Sequence, residues 1–284
     1  MGKIRKLGYY INSFDASELL FQALSEIRDQ LDWVCAIYQK KSYWQNPMAR
    51  EDMEELVRLK NIGLVDELIE FKPDFTKYSR EQETDKRNMG IELSKQRGCS
   101  HVMSVDADEF YDKDQFKYAK DKINKVGWPI TYCSYVNYYR DFEHYLVYPF
   151  RPFVPFIHSN FFKYQFNGPA PGASDPTRRI FCPSNLGTYL FEDNEIRMGH
   201  AAWVRRDIRK KLVNWSAKNH FKPELIDKAV KRWENFKDGE KAVMLFNTPS
   251  HEVEVRKLDV KIHKFEVPWF KDGKYIPKET VKKE

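Results

Sequence analysis

The chain has 284 residues, of which 42% are apolar, 32% charged and 15% aromatic, the make-up of a globular protein rather than a disordered or low-complexity one. No run of about eighteen uninterrupted apolar residues occurs, and Met1-Gly2-Lys3-Ile4-Arg5-Lys6 leads into a strand rather than a signal-peptide core. The four cysteines, Cys35, Cys99, Cys133 and Cys182, are widely spaced with no Cys-x-x-Cys pair, so they read as reduced, packed thiols and not as zinc ligands or a disulfide framework. A soluble, unprocessed, cytoplasmic protein is the expectation.

Alternating strand and helix signals fill the first half. Leu7 to Ile11 reads as a strand, and Asp15-Ala16-Ser17-Glu18 opens a helix whose Leu20, Leu24, Ile27 and Leu31 recur at helical spacing. Trp33 to Tyr38 is a second strand. Then come a helix through Met53, Leu56 and Leu59, closed by Asn61-Ile62-Gly63, and the strand Glu67 to Phe71. Ser79-Arg80-Glu81-Gln82 has the form of a capping box at the start of a long helix, and Gly98 sits where that helix would end in the left-handed conformation. The apolar run His101 to Val105 follows, ending in Asp106-Ala107-Asp108. Repeated β-α units of this kind demand a mostly parallel sheet with right-handed crossovers.

Further on, Asp112 to Lys125 predicts a helix and Ile130 to Tyr139 a strand. Pro149, Pro152 and Pro155 forbid a regular helix over Tyr145 to Phe162, whose interleaved Phe and Tyr residues suggest a lining, a lid or an edge strand packed on the sheet. Asn167 to Gly172 is a loop. Ile180-Phe181, Thr188 to Phe191 and Ile196 to His200 are short strands, with Glu192-Asp193-Asn194-Glu195 as the turn joining the last two. Two amphipathic helices, from Val204 to about Asn219 and from Pro223 to about Lys237, precede an irregular basic tail, and Ile208, Leu212 and Trp215 form the apolar stripe of the first.

The formal net charge is +6, unevenly spread: residues 200–284 hold 21 Lys and Arg against 13 Asp and Glu, and residues 1–199 hold 27 against 29. Solvated lysine faces are the usual cause of such an excess. Attraction to a polyanion, nucleic acid or an acidic membrane surface, is the other.

Two carboxylates one residue apart, just past a buried strand, can face an open cleft together and hold a hard divalent cation through oxygen. Ligands of open α/β sheets sit at such carboxyl ends of strands. An isolated Asp-x-Asp usually marks a solvated turn, so the context decides. Arg87-Asn88-Met89-Gly90, the rest of its helix, and then Val102-Met103-Ser104-Val105-Asp106-Ala107-Asp108-Glu109-Phe110 resemble the core of GT-A-fold glycosyltransferases of the family 2-like kind. Met198-Gly199-His200-Ala201-Ala202-Trp203-Val204-Arg205 extends the resemblance.

The resemblance implies a GT-A-like α/β fold, with a mixed sheet flanked by helices. The catalytic domain would span residues 1–203, with a nucleotide-sugar half at 1–111 and an acceptor half at 112–203, and a basic helical extension at 204–284 would pack on it. It implies a metal-dependent hexosyl- or pentosyltransferase using a nucleotide-diphosphate sugar with Mn²⁺ or Mg²⁺. Asp106 and Asp108 would bind the metal, with Asp106 also on the ribose side, and His200 would be the third protein ligand; an ordinary core or edge histidine is the plain alternative. Arg87 and Asn88 would meet the diphosphate or base, and Asn12 and Ser13, at the exit of the first strand, the nucleotide. The plain alternative for Arg87 is a surface helix charge pairing Glu83 or Glu92. Lys40 and Lys41 follow the second strand, where many members of the family carry an acidic base-reading residue. Candidates for the catalytic carboxylate are Asp175, Glu109, Glu192 and Asp193, with Asp175 preferred.

The acceptor is open between a glycan, a lipid-linked saccharide, a protein and a hydroxylated DNA base, the last as in a phage-type DNA-modifying glycosyltransferase. Two other classes compete. A nucleotidyltransferase or metal-dependent phosphohydrolase also groups Asp residues on a strand end, but further acids or a Gly-rich phosphate loop would be expected. A noncatalytic nucleic-acid-binding protein would rest on the basic C-terminal third, where no recognition signature supports it.

Overall fold

Successive residues of the first strand enter opposite hydrophobic layers, because a strand flanked by helices on both faces alternates its side chains between them. The computed structural model describes residues 2–170, 173–183, 186–245, 252–258, 267, 269–271 and 274–275. The first elements are β1 (Leu7–Ser13), α1 (Ser17–Ile27), β2 (Trp33–Tyr38), α2 (Arg50–Asn61), β3 (Glu67–Glu70), α3 (Ser79–Gln96) and β4 (His101–Asp106). There follow β5 (Glu109–Phe110), α4 (Lys113–Val126), β6 (Ile130–Tyr139), β7 (Asp141–Val147), β8 (Pro152–Ser159) and β9 (Tyr164–Gln165). Then come β10 (Ala173–Ser174), β11 (Arg179–Ile180), β12 (Tyr189–Leu190) and β13 (Arg197–Trp203). The last are α5 (Ile208–Asn214), α6 (Pro223–Glu234), β14 (Lys241–Val243), β15 (Glu252–Lys257), and a short hairpin of β16 (Phe270–Lys271) and β17 (Lys274–Tyr275). The chain divides into two compact units, one of residues 1–135 and 150–198, the other of 136–149 and 199–284.

In the first unit the strand order is β6-β8-β4-β1-β2-β3. β4, β1, β2 and β3 are parallel, as the β-α alternation predicts, and β8 runs antiparallel to β4 and β6, so the sheet is mixed. Leu7, Tyr9 and Ile11 of β1 join Val34, Ala36, Met103 and Val105 under Leu20 and Leu24 of α1, Leu56 and Leu59 of α2, and Phe116 and Ile123 of α4. Tyr10, Trp33, Cys35, Ile37 and Val102 pack on the other face with Ile91 of α3. α3 lies close to the sheet because position 90 is glycine: a Cβ there would fall 2.2 Å from the Tyr10 ring.

Some local expectations are revised. Ser79 does not cap α3; Tyr78 holds the N-cap position without a side-chain bond, and Gln82 instead accepts from Asp74 N at 2.6 Å and donates to Lys77 O at 3.1 Å. Gly98 does end that helix with φ +75°. The proline-rich stretch forms β8, an inner strand with all eight residues buried. Pro155 is tolerated there beside a register shift between Ile130 and Tyr132 of β6, where the ladder is already interrupted and no N–H is required of it.

In the second unit the end of β6 pairs antiparallel with β7 (Tyr138 opposite Tyr145), β7 with β15, and β15 with β14. Trp203, Ile208, Leu212, Val230, Trp233, Phe236 and Leu245 form its core, and Trp233 Nε1 donates to Trp203 O at 2.8 Å. The helix expected over 204–219 is shorter. Asp207 caps α5 by accepting from Lys210 N, and Trp215 leaves the helix with ψ 134° to stack on Phe221 at 5.4 Å. Arg209, one of its outward basic residues, pairs with Asp227 at 2.7 Å. Among the described residues no helix is long and apolar enough to cross a membrane.

Candidate active site at the carboxyl ends of β1 and β4

Parallel pairing sets Asn12 directly opposite Asp106 at the carboxyl edge of the sheet, and Asn12 Nδ2 donates to Asp106 Oδ1 at 3.3 Å. Both side chains therefore leave the strands toward the same side. α3 runs beneath them with an unusual inner face: Thr84, Lys86, Arg87 and Ser94 are all buried. That polar stripe works because each group has a partner, as burial of a charge requires.

Arg87, whose side chain is fully buried, is the hub. Its Nη2 donates to both Asp106 oxygens at 2.9 and 3.0 Å and to Glu83 Oε1 at 2.9 Å. Nη1 reaches Ser104 Oγ at 3.1 Å and Nε reaches Thr177 Oγ1 at 3.3 Å. A second arginine comes from the loop before β11. Arg178 forks onto Glu109, Nη1 to Oε2 at 2.8 Å and Nη2 to Oε1, and lies 3.6 Å from Asp106 and from Asp175. The same loop folds Asp175 back, its Oδ1 accepting from Thr177 N and Oγ1 at 2.8 Å, so that Oδ2 lies 3.8 Å from Arg87.

The carboxylates outnumber the guanidiniums, and three of them converge. One oxygen from each of Glu83, Asp106 and Asp175 lies within 4.8 Å of the others. Their side chains remain 15%, 24% and 30% exposed, whereas that of Arg87 is at 0%, so the acids face the opening and the arginine backs them. Burial pushes the Asp106 carboxyl up, but Arg87 and Arg178 outweigh it and hold the group below the usual carboxylate range. For Asp175 burial is likewise overcome by Arg178 and Arg87, which bring it down to about 2. Glu109 moves the other way, because burial exceeds what Arg178 returns and Asp106 adds repulsion. Lys86, on the same helix, is lowered by burial to about 7 although Glu83 and Asp106 favour its charge.

An all-oxygen set of ionised carboxylates matches a hard divalent cation such as Mg²⁺ or Mn²⁺. The residues that could hold it together are Glu83, Asp106 and Asp175, with one oxygen each within 4.8 Å of the others. Asp108 lies in the turn between β4 and β5 and is 1% exposed, with its charge felt by both Asp106 and Glu109. His200 is on β13 in the second unit, its Nδ1 bonded to Asn137 Oδ1. Ser13 is buried at the end of β1 and its carbonyl takes a bond from Lys86 Nζ at 2.9 Å. Asn88 is engaged with backbone, accepting from Tyr164 N and donating to Tyr164 O. Asp193 is held by Arg151 and Ser134, and Glu192 is exposed in the same turn. Lys40 pairs with Glu70 at 2.9 Å.

Sequence reasoning misses three contributors to the site. Glu83 enters it only as a helical neighbour of Arg87, and the i, i+4 spacing was the signal available. Arg178 lies in an Arg-Arg doublet of a loop whose path no periodicity fixes. Tyr43, in the β2-α2 loop, has a buried hydroxyl with no hydrogen-bond partner among the described residues, and burial followed by the nearby Glu83 pushes its pKa up.

No family model matches this sequence, and no curated protein does. Several solved structures share part of its course. S. aureus TarS residues 1–349 superposes with a TM-score of 0.43 at 11% identity, over 78% of this chain and 69% of that one. The same TarS segment in complex with UDP-GlcNAc gives 0.34 at 13% identity, over 46% of this chain and 35% of that one. GalNAc-T7 with UDP, GalNAc and Mn²⁺ gives 0.39 at 13% identity, over 74% and 47%. The matched stretch is thus about a third of the length of the TarS complex, and likeness at this level leaves function to be read from the side chains.

Proposed function

We propose that the chain is a divalent-cation-dependent glycosyltransferase that takes a sugar from a nucleoside-diphosphate donor, with the cation held by Asp106, Glu83 and Asp175. The observation that carries this reading is the convergence of those three half-open carboxylates at the carboxyl end of the parallel β1-β4 pair, backed by two buried arginines. Without a cation, a site with this excess of carboxylate would repel a diphosphate. A bound Mn²⁺ or Mg²⁺ supplies Lewis-acid stabilisation of charge on the leaving diphosphate.

The remaining work falls to the chain itself. Arg87 fixes Asp106 and Glu83 in one orientation, and Arg178 fixes Glu109 and draws Asp175 toward the strand end. Preorganisation of this kind avoids reorienting dipoles when charge develops. Asp175 brought down to about 2 is a weak proton acceptor, so this reading gives it to the cation and leaves the base that deprotonates the acceptor to another carboxylate. The roles of Asp108 and His200 as ligands rest on the motif resemblance, as does the range of acceptors, glycan, lipid-linked saccharide, protein or DNA base, with only the DNA option drawing on the basic C-terminal third.

The test is turnover of a panel of nucleotide sugars, followed by mass spectrometry of products, with Mn²⁺ and with excess EDTA. Release of nucleoside diphosphate that requires the cation and is lost in Asp106→Asn supports the reading. Release of pyrophosphate or of inorganic phosphate instead would replace it with a nucleotidyltransferase or a phosphohydrolase.

A further inference from the structure

Lys86 is 2% exposed, and its ammonium is placed between the exits of two neighbouring parallel strands. Nζ donates to the carbonyl of Ser13, the last residue of β1, at 2.9 Å, and to Oε1 of Gln39, the residue after β2, at 3.3 Å. Gln39 is itself buried, and its Nε2 passes the tie on to Lys41 O at 3.0 Å. Lys41 in turn bridges Pro47 across the β2-α2 loop, whose Ser42 Oγ accepts from Trp44 N and Asn46 N. Beyond Ser13 the chain turns sharply through Ala16, which is buried and holds φ +75°, a strained conformation that its surroundings must enforce.

Burying an ammonium is costly, and two neutral acceptors return only part of that cost. The lysine is explained if what it holds matters more than stability. It ties together the β1-α1 and β2-α2 loops, which leave the same edge of the sheet as Asn12 and Asp106. We infer that Lys86 is a positioning residue, clamping the β1-α1 and β2-α2 loops at one separation beside the carboxylate site so that they form a fixed wall for the donor; this rests on the donor reading above. Arg87, one residue on, orients the carboxylates, so adjacent positions of α3 order neighbouring parts of one sheet edge. Burial lowers the Lys86 pKa to about 7, and either the ammonium or the neutral amine can donate the bonds to Ser13 O and Gln39 Oε1.

The test uses the full chain with Lys86→Met, Lys86→Arg and Gln39→Met, the last removing one acceptor while leaving the ammonium in place. Amide hydrogen exchange over residues 13–17 and 39–42 reads the clamp directly, and calorimetry with UDP and Mn²⁺, together with the KM and kcat of whichever nucleotide sugar turns over, reads its use. In Lys86→Met both loops should exchange at least roughly tenfold faster and KM should rise roughly tenfold with kcat within about twofold, the loss of one or two buried hydrogen bonds. Gln39→Met should loosen the 39–42 segment alone, and Lys86→Arg should recover part of the KM. Unchanged exchange in both loops of Lys86→Met, or a fall in kcat at constant KM, overturns the inference. If the wild type binds no nucleoside diphosphate, the donor reading and the receiving role fall together, and the exchange data still decide whether the clamp exists. Should Lys86→Met not fold, Gln39→Met carries the decision: unaltered exchange over 39–42 would refute the clamp.

Discussion

A single nitrogen of Arg87 touches both oxygens of Asp106, at 2.9 and 3.0 Å, from a side chain with no solvent exposure, while Asp106 itself stays 24% exposed. The pair is therefore lopsided: the cation is locked in the protein and the anion is presented outward. An acid held this way keeps its charge and its direction, although Oδ1 is already shared between Asn12 and Arg87.

Replacing Arg87 should show how much of the site depends on that lock. Lysine can reach Asp106 and Glu83 but cannot also bond Ser104 and Thr177, which Nη1 and Nε now serve. Arg87→Ala strips Glu83 and Asp106 of their nearest counter-charge, with Arg178 left 3.6 Å from Asp106, and should cost about 3–5 kcal/mol in urea unfolding. Arg87→Lys should cost less, roughly half, because only the neutral bonds are lost. Equal stability of the alanine variant and the wild type would show that Arg178 alone suffices as the counter-charge of Asp106.

Gly90 fixes how closely α3 approaches β1. A methyl group there would overlap the Tyr10 ring at 2.2 Å, and Tyr10 is itself packed on all sides. Gly90→Ala should destabilise the protein by about 1–3 kcal/mol despite the better helix propensity of alanine. Thermal unfolding of Gly90→Ala with and without Tyr10→Ala checks the cause, since the second substitution should relieve part of the first.

The order of elements and the place of Asp106 were legible because they follow from period and punctuation. β1, β2 and β4 are apolar runs between amphipathic helices, and Gly98 closes α3 where a left-handed residue is required. The acids that join Asp106 were harder to see. Asp175 was named for its loop, but its partner Arg178 is delivered by an irregular turn whose hydrogen bonds to Asp175 no pattern encodes. Glu83 and Lys86 look like the exposed charges of an ordinary helix, and only the tertiary contact turns that face inward. Pro155 misleads in the opposite sense, since a register shift in β6 admits it to an inner strand.

Lys86 also predicts a pH dependence of stability. Its amine falls to about 7 in the folded chain, from an ordinary value near 10.5, so between those limits the unfolded state binds more protons than the folded one. Its contribution is complete above pH 10.5 and is lost as the pH falls through about 7. The stability difference between wild type and Lys86→Met should therefore shift toward the wild type on going from pH 7 to 10, by at most about 1.4 kcal/mol per pH unit. Urea midpoints of both proteins across that range provide the measurement, and parallel curves would show that the amine titrates normally.

The cation can be located without any turnover. Calorimetric titration with Mn²⁺ should show one site in the wild type, with affinity reduced in Asp106→Asn, Glu83→Gln and Asp175→Asn by more than the roughly 10- to 100-fold typical of outer-shell partners. Because ligands must be ionised and Asp175 sits at about 2 while Asp106 is held low, binding should stay strong down to about pH 5, with no step near neutrality from these two acids. A histidine ligand gives a different curve, weakening as the imidazole protonates between about pH 7 and 6. Asp108→Asn and His200→Ala separate the two assignments. If they abolish Mn²⁺ binding while Glu83→Gln and Asp175→Asn leave it intact, the cation sits where the Asp-x-Asp resemblance puts it, and the convergence of Glu83, Asp106 and Asp175 is an ion-pair network that orients Arg87 and Arg178.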